Sequence, residues 1–401
     1  MAFAASSPTL ASTPRPRPTE QGSAEQRPIP SVPDESPVKF PDAEISADPQ
    51  PAKLYLPRRR HSPKRLNLAL QGGGAHGAFT WGVLDRVLEL NEYAIDGVSG
   101  TSAGAVNAVA LAAGYMEDGP EGARRKLEAV WRAVNAAHGY AHLRRDLDAA
   151  PAEAPQLRPN PAHMFFSAVS RVLSPYEFNP LDVDPLRVIL DDLIDFDALG
   201  RHSPVRLFIN VTEAKTGRGR IFTGAEVTLD AVLASACLPA LRQAVRIGGR
   251  YYWDGGYSAN PPLLPLVEHA GAADTMIVRL TPDAAPGVPT GARDIQGNVN
   301  RIMFSQPLRK EIELIETVRR MANGRSVQTD ALAIRLRDHR FHLLDGARYT
   351  SELHADSHLQ PHWDVLAYLN QSGRTATTNW MRRHKKSLGE KSTVDLTKRF
   401  L

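Results

Sequence analysis

A serine at a predicted sharp turn is the first feature of the chain that could do chemistry. Residues 100–104 read Gly-Thr-Ser-Ala-Gly, after a short apolar run at 95–98 and before a run of small residues that ends at Gly114. This order predicts a strand, a turn and a helix, with Ser102 exposed at the turn and small residues around it. The pattern is typical of a nucleophilic serine. Chance matches are common, so a glycine-rich bend with a capping serine stays open at this point.

A glycine-rich loop lies one predicted strand earlier. Residues 72–77 read Gly-Gly-Gly-Ala-His-Gly, between an apolar run at 66–70 and a helical pattern that starts at Ala78. Three consecutive glycines allow backbone N–H groups to converge on an anion. The same letters match the dinucleotide fingerprint, with Asp96 downstream as the acid that would bind a ribose. A nucleotide-binding domain is therefore a rival interpretation, although it leaves the serine turn unexplained.

Two downstream segments favour the nucleophilic serine over the nucleotide-binding domain. Residues 251–256 read Tyr-Tyr-Trp-Asp-Gly-Gly, and residues 234–239 read Ala-Ser-Ala-Cys-Leu-Pro. At this point the chain resembles the patatin-like phospholipase family. That family has a glycine loop, a G-x-S-x-G turn, an Ala-Ser-x-x-x-Pro segment and a D-G-[GA] motif in this order, and all four occur here over roughly residues 64–265. His76 replaces the family's Arg or Lys in the loop, so its charge would depend on pH.

The resemblance implies a serine acyl hydrolase that uses two catalytic side chains. It implies Ser102 as the nucleophile and Asp254 as the base that accepts its proton, with no histidine required. It also implies an oxyanion hole made by backbone N–H groups of the loop. The loop residues are Gly72, Gly73 and Gly74, and the motifs are completed by His76, Gly77, Gly100, Gly104, Gly255 and Gly256.

The implied substrates are acyl esters of lipids, cleaved through an acyl-enzyme by a phospholipase A or lysophospholipase type of reaction. The resemblance implies no cofactor. A Ser-His-Asp triad is the rival enzyme, and it would need a later histidine such as His269 or His342, neither of which lies in a recognisable motif. The alternative from another class is a non-catalytic lipid- or nucleotide-binding module. The intact Ser102 and Asp254 argue against that alternative.

A histidine-rich segment near the C-terminus could be a metal site. His354, His358 and His362 are spaced four apart, with Asp356 among them, and on a helix they would share one face. Pro361 interrupts the helical pattern before the third histidine, and the hydrolase chemistry needs no metal. We therefore expect no metal ion.

Composition limits the other classes of function. The 401 residues are 42% hydrophobic and 23% charged, which is ordinary for a globular protein. The single cysteine, Cys237, excludes an internal disulfide and fits a reducing compartment. A formal charge of +4 is too diffuse to indicate nucleic acid. Without an apolar run of 18 residues or a secretory signal pattern, we expect no transmembrane segment and a cytoplasmic protein. A lipid substrate also allows peripheral contact with a membrane or lipid surface.

The chain divides into four predicted parts. Residues 1–63 hold 13 of the 31 prolines and are predicted to be a disordered tail. Alternating strands and helices predict an α/β catalytic domain over 64–285, and the resemblance implies a three-layer α/β/α sandwich with a mostly parallel sheet. A mainly helical C-terminal portion, 286–386, would pack on it, and 387–401 would be a basic tail.

Three local predictions fall inside these parts. An irregular insertion is predicted over 138–162. The apolar run 161–172 is predicted to be core, with a lid or acyl-binding helix as the alternative. Residues 362–386 should form one or two helices broken at Gly373.

Overall fold

The computed structural model of the protein describes residues 63–137, 151–155, 173–284, 287–322, 330–353 and 355–401. Almost all of the predicted tail, most of the predicted insertion at 138–162 and the whole of the apolar run at 161–172 lie outside these residues. The predictions for those segments therefore stay predictions.

A central sheet organises the described part of the chain. Its eight strands are β1 Lys64–Leu70, β2 Tyr93–Gly100, β3 Arg206–Glu213, β4 Gly219–Thr223, β5 Val245–Ile247, β6 Arg250–Asp254, β7 Asp274–Arg279 and β8 Arg340–Asp345. The spatial order is β5-β6-β3-β2-β1-β7-β8, and β4 pairs with β3. The neighbours from β3 through β2, β1 and β7 to β8 are parallel, and only β4, β5 and β6 add antiparallel pairs. The prediction of a mostly parallel sheet is confirmed.

Helices cover both faces of this sheet. They are α1 Gly77–Leu90, α2 Ala103–Asn135, α3 Pro175–Phe178, α4 Pro185–Leu193, α5 Phe196–His202, α6 Leu229–Ser235, α7 Leu264–His269, α8 Ala292–Ala322, α9 Ala331–Asp338, α10 Ala347–Ser351, α11 Trp363–His384 and α12 Leu396–Phe400. Alternation along β1 explains the two layers, since Leu66, Leu68 and Leu70 join the core under α1, α2 and α11. Ala69 points to the other face, where it joins the core under α7, α8 and α12. The predicted α/β/α architecture is confirmed.

One helical prediction was wrong at Gly373. Helix α11 continues through this residue, although the sequence suggested a break there. A Cβ at Gly373 would stand 2.2 Å from the carbonyl oxygen of Phe79 in α1. The glycine therefore serves the close approach of two helices, which is a role that the sequence of one helix cannot reveal.

The C-terminal part of the chain completes the sheet and one of its faces. Strand β8 pairs in parallel with β7, at the edge of the sheet. The segment predicted as a basic tail contains α12, whose Leu396 and Phe400 are buried. Arg399 of this helix forms ion pairs with Asp283 at 2.6 Å and Asp345 at 2.7 Å. In the described ranges, no helix combines the length and the apolarity that crossing a bilayer requires.

Candidate active site

The turn between β2 and α2 holds Ser102 in an uncommon backbone conformation. Its φ is 54° and its ψ is −124°, in a region that side-chain-bearing residues rarely adopt. The residues on either side must be glycine because a side chain would clash with the backbone. A Cβ at Gly100 would stand 2.5 Å from the carbonyl oxygen of Gly104, and a Cβ at Gly104 would stand 2.1 Å from the carbonyl oxygen of Leu70. The tight turn leaves Ser102 partly exposed at the carboxyl end of the parallel strands.

Hydrogen bonds from two distant segments hold this turn. The backbone N–H of Ser102 donates to Ser235 Oγ at 2.9 Å, and the Ser235 hydroxyl donates to the carbonyl oxygen of Asn210 at 2.7 Å. The Thr101 hydroxyl donates to the carbonyl oxygen of Ala259 at 2.9 Å. The small-residue segment around Ser235 therefore connects the serine turn to β3, in the middle of the sheet.

Asp254 ends β6 and is fully buried. Its Oδ1 accepts the N–H of Gly256 at 2.7 Å, and its Oδ2 has no hydrogen-bond partner among the described residues. Burial raises the pKa of this carboxyl to about 7, against the opposing effects of the Gly256 N–H, the Ser102 hydroxyl and Arg242. The Ser102 hydroxyl lies near enough to favour the ionised form, although no hydrogen bond of ordinary geometry joins it to Oδ2.

The glycine loop lies directly against the serine. A Cβ at Gly72 would stand 2.8 Å from the Cβ of Ser102 and 2.7 Å from the carbonyl oxygen of Thr101. The N–H of Gly72 donates to Asn260 Oδ1 at 2.7 Å, so in this structure it is occupied. The N–H groups of Gly73 and Gly74 have no hydrogen-bond partner in the described part of the chain. The assignment of the three glycines to an oxyanion hole stays a prediction, and in this structure the N–H of Gly72 is already bonded.

The remaining motif residues support this arrangement. Gly74 has a φ of +56°, which favours glycine, and a Cβ there would stand 2.2 Å from the carbonyl oxygen of His358. Gly77 begins α1, and its carbonyl oxygen accepts from Asn107 Nδ2 at 3.0 Å. The carbonyl oxygen of Gly255 accepts from Asn210 Nδ2 at 2.6 Å.

His76 faces the C-terminal part of the chain. Its Nε2 lies 2.7 Å from Ser357 Oγ. Burial, together with nearby His358, lowers the pKa of His76 to about 3. At this pKa the ring would be neutral throughout the neutral pH range, so we expect no change of its charge near neutral pH.

The geometry and the family comparison agree on the same segments. The family model described as patatin-like phospholipase matches residues 68–267, which include the serine turn, Ser235 and Asp254. The chain belongs to the patatin-like phospholipase family. A search of curated proteins finds no match.

Two solved structures are similar to this patatin-like chain at low scores. One is VipD from Legionella pneumophila, at 15% identity and a TM-score of 0.30, covering 78% of this chain and 67% of that chain. The other is the heterodimeric complex ExoU-SpcU from the type III secretion system of Pseudomonas aeruginosa, at 16% identity and a TM-score of 0.25. That match covers 82% of this chain and 61% of the other.

A nucleotide-binding domain would need a free acid to bind the ribose, and Asp96 is not free. Asp96 is nearly buried, forms ion pairs with Arg65 and Arg206, and accepts the N–H groups of Gly271 and Ala272. Burial raises the pKa of this carboxyl, but these hydrogen bonds and Arg65 outweigh it and hold the pKa below its usual value. Because its acceptor positions are occupied by these groups, Asp96 is not available to a ribose.

The two histidines that a triad could use contact other groups. His342 Nε2 lies 2.9 Å from Asp274 Oδ1, and its Nδ1 lies 3.0 Å from Thr393 Oγ1. It belongs to β8, which is three strand spacings from β2, or about 14 Å. His269 is exposed at the end of α7 beside Glu268. His342 is therefore too far from the serine to take its proton, and the His269 ring stacks on Phe208, in the core under α7, α8 and α12.

The histidine-rich segment gives no metal centre within the described ranges. No group of three or more His, Cys, Asp or Glu side chains is close enough there to hold an ion. His354 and the side chain of Asp356 lie outside those ranges, so the full candidate set is not described.

Three buried amides of the site were missed by sequence reasoning. Asn210 Nδ2 also donates to the carbonyl oxygen of Ala259 at 2.9 Å, Asn260 holds Gly72, and Gln71 Oε1 accepts the N–H of Leu280 at 2.6 Å. The available signal was weak. Asn260 follows Asp254 by six residues and directly precedes two prolines, which marks a constrained turn but no partner.

Proposed function

We propose that this protein is a serine acyl hydrolase that cleaves acyl ester bonds of lipids with Ser102 and Asp254. Membership of the patatin-like phospholipase family supports lipid acyl hydrolysis at the level of the family. One observation carries the assignment of residues: a fully buried carboxylate with a pKa raised to about 7 lies next to a serine presented at a strained turn. Perturbed carboxyl groups of this kind are common at catalytic sites.

The first half-reaction forms an acyl-enzyme. Asp254 accepts the proton of the Ser102 hydroxyl while Oγ bonds to the ester carbonyl carbon. The N–H groups of Gly73 and Gly74 stabilise the resulting oxyanion, each by about 2.7–4 kcal/mol if they match measured donors. When the tetrahedral intermediate collapses, the ester C–O bond breaks and the departing alcohol takes the proton from Asp254.

The second half-reaction releases the fatty acid. Asp254, ionised again, accepts a proton from water as the water oxygen bonds to the acyl carbon. Collapse breaks the bond to Ser102 Oγ, which recovers the proton from Asp254. A base is most effective when its pKa lies near the working pH, so the raised pKa of Asp254 suits this role without a histidine.

The type of lipid and the place of encounter are parts of the same proposal. We expect a phospholipase A or lysophospholipase type of substrate, met by peripheral contact with a lipid surface. Exposed apolar side chains in the first half of α8 support this contact: Ile295, Val299 and Ile302 are spaced along one helical face and are 40–46% exposed. A cytoplasmic location remains a prediction.

Release of fatty acid from defined esters tests the proposal. Purified protein would be assayed with a phospholipid, its lysophospholipid, a triacylglycerol and short p-nitrophenyl esters. We expect turnover of at least one lipid ester, none with Ser102→Ala, and wild-type rates with the control Ser203→Ala in the loop before β3. No turnover of any ester, with a nucleotide that raises the melting temperature, would instead favour the nucleotide-binding module.

A further inference from the structure

Asn260 uses every polar group of its side chain at the edge of the site. The residue is fully buried. Its Oδ1 accepts the N–H of Gly72 at 2.7 Å, and its Nδ2 donates to the carbonyl oxygen of Phe304 at 3.0 Å. One amide group therefore joins the glycine loop to α8, across 188 residues of sequence on one side and 44 on the other.

Gln71, next to the glycine loop, forms a second set of hydrogen bonds that fixes the loop. Gln71 Nε2 donates to the backbone carbonyl oxygen of Asn260 at 3.3 Å, while Gln71 Oε1 accepts the N–H groups of Leu280 at 2.6 Å and Thr281 at 2.9 Å. The residue before Asn260 accepts the hydroxyl of Thr101, next to the nucleophile. The segment after the Asp254 turn is thus bonded to both the glycine loop and the serine turn.

We infer that Asn260 is a positioning residue that selects the oxyanion donors by holding Gly72 away from the substrate. An N–H already bonded at 2.7 Å to an amide oxygen is not free to stabilise an oxyanion. Its two successors, Gly73 and Gly74, have no partner in the described part of the chain and follow directly from the fixed point. This inference rests on the hydrolase proposed above.

A matched control separates positioning from ordinary stabilisation. Asn67 is also fully buried, and its Nδ2 donates to a backbone carbonyl oxygen, that of Ala272, at 3.1 Å. It lies in the middle of β1, opposite Thr275 at the start of β7, and not at the carboxyl ends of the strands where the serine turn lies. Loss of either amide should lower stability, but only loss of Asn260 should change the transition state.

The experiment compares Asn260→Ala with Asn67→Ala in the full chain. For each variant, kcat and KM for a p-nitrophenyl ester would be measured, together with the affinity for an alkyl trifluoromethyl ketone. Such a ketone forms a tetrahedral adduct with a serine and places an oxyanion in the hole. We expect Asn260→Ala to lower kcat by about 100-fold, the size of effect known for one oxyanion donor, because Gly73 and Gly74 lose the fixed point that orients their N–H groups; KM should change by less than about threefold. Ketone affinity should fall in parallel, and Asn67→Ala should leave all three values near wild type.

The possible outcomes are distinct. A wild-type kcat for Asn260→Ala, or equal losses in both variants, would overturn the role of Asn260 and leave the hydrolase standing, provided that Ser102→Ala remains inactive. If the wild type hydrolyses no ester and binds no ketone, both proposals fail together. If Asn260→Ala does not fold, Asn260→Asp, which keeps an oxygen acceptor for Gly72, replaces it. Because Asn260→Asp keeps the acceptor, its kcat should stay well above the background rate. A kcat equal to the background rate would contradict the inference.

Discussion

Ser235 and Ser102 are joined by a hydrogen bond in which the backbone N–H of Ser102 donates to Ser235 Oγ at 2.9 Å. The same hydroxyl donates to the carbonyl oxygen of Asn210 in β3, so it links the backbone of Ser102 to the sheet. This bond occurs at the residue with a φ of 54°. Because an uncommon conformation persists only where surrounding bonds enforce it, the turn should store strain that a substitution can release.

Ser102→Gly should release that strain. Since glycine adopts positive φ without a steric penalty, we expect it to be about 1 kcal/mol more stable than Ser102→Ala, although both should be inactive. Urea denaturation at one pH measures the difference. As a control, Ser99 lies within β2, and Ser99→Gly should be less stable than Ser99→Ala. A Ser102→Gly protein no more stable than Ser102→Ala would contradict a strained turn.

Activity should follow the ionisation of Asp254. Because the base must be ionised and its pKa is raised to about 7, kcat/KM should fall about tenfold per pH unit below that value and be level above it. Glu311 provides the control, since burial raises its pKa to about 7 as well and its Oε1 accepts the N–H groups of Leu263 and Leu264. Glu311→Gln should keep the same profile. If Glu311→Gln lost the fall in kcat/KM at low pH, that fall would belong to Glu311, and its assignment to Asp254 would be wrong.

The buried carboxylate should also make stability depend on pH. The pKa of Asp254 is raised on folding from 3.8 to about 7, so between these values the folded state binds more protons than the unfolded state. Stability therefore falls as pH rises through this window. Removing the charge in Asp254→Asn should cancel this contribution, which amounts to at most about 4 kcal/mol. The unfolding free energy of the variant minus that of wild type should rise from pH 4 to pH 8. A difference that is constant with pH would contradict the raised pKa.

Two substitutions in the glycine loop should separate an effect on catalysis from an effect on stability. Gly73 has an extended φ of 174°, and a Cβ there would stand 3.1 Å from the flexible Leu280 side chain and at an ordinary 3.6 Å from the Cβ of His76. Gly73→Ala should therefore fold almost normally and lower kcat with little change in KM. Gly74→Ala should instead be destabilised by about 1–3 kcal/mol or more, because of its positive φ and the backbone oxygen of His358. Thermal melts and kinetics on both variants check this, and equal melting temperatures would contradict it.

Local patterns were enough to predict the parts of the site that lie within one motif. Ser102 at a strand-to-helix turn and the glycines beside it depend on residues a few positions apart, and the buried parallel strands depend on their own apolar runs. What the sequence could not supply was the pairing of distant segments. The bond between Gly72 and Asn260 spans 188 residues, and the contact of His76 with Ser357 spans 281.

These long-range contacts changed chemical expectations at two residues. Asn260 occupies an N–H that was expected to face the oxyanion, and burial keeps His76 neutral where its charge was expected to respond to pH. The first effect depends on a hydrogen bond from a distant segment, and the second depends on burial by other parts of the fold. Gly373 is a third case, because its role depends on the backbone of α1 and not on α11 alone.

Capture of the acyl-enzyme tests the central claim most directly. Wild type, Ser102→Ala and Asp254→Asn would be mixed with a long-chain p-nitrophenyl ester and quenched in acid within the first turnover, and the adduct would be mapped by peptide mass spectrometry. We predict one acyl group on the peptide that contains Ser102 in the wild type, none in Ser102→Ala, and formation slowed by at least about 100-fold in Asp254→Asn. An acyl group on another residue, or equal rates in Asp254→Asn and wild type, would contradict the Ser102–Asp254 dyad.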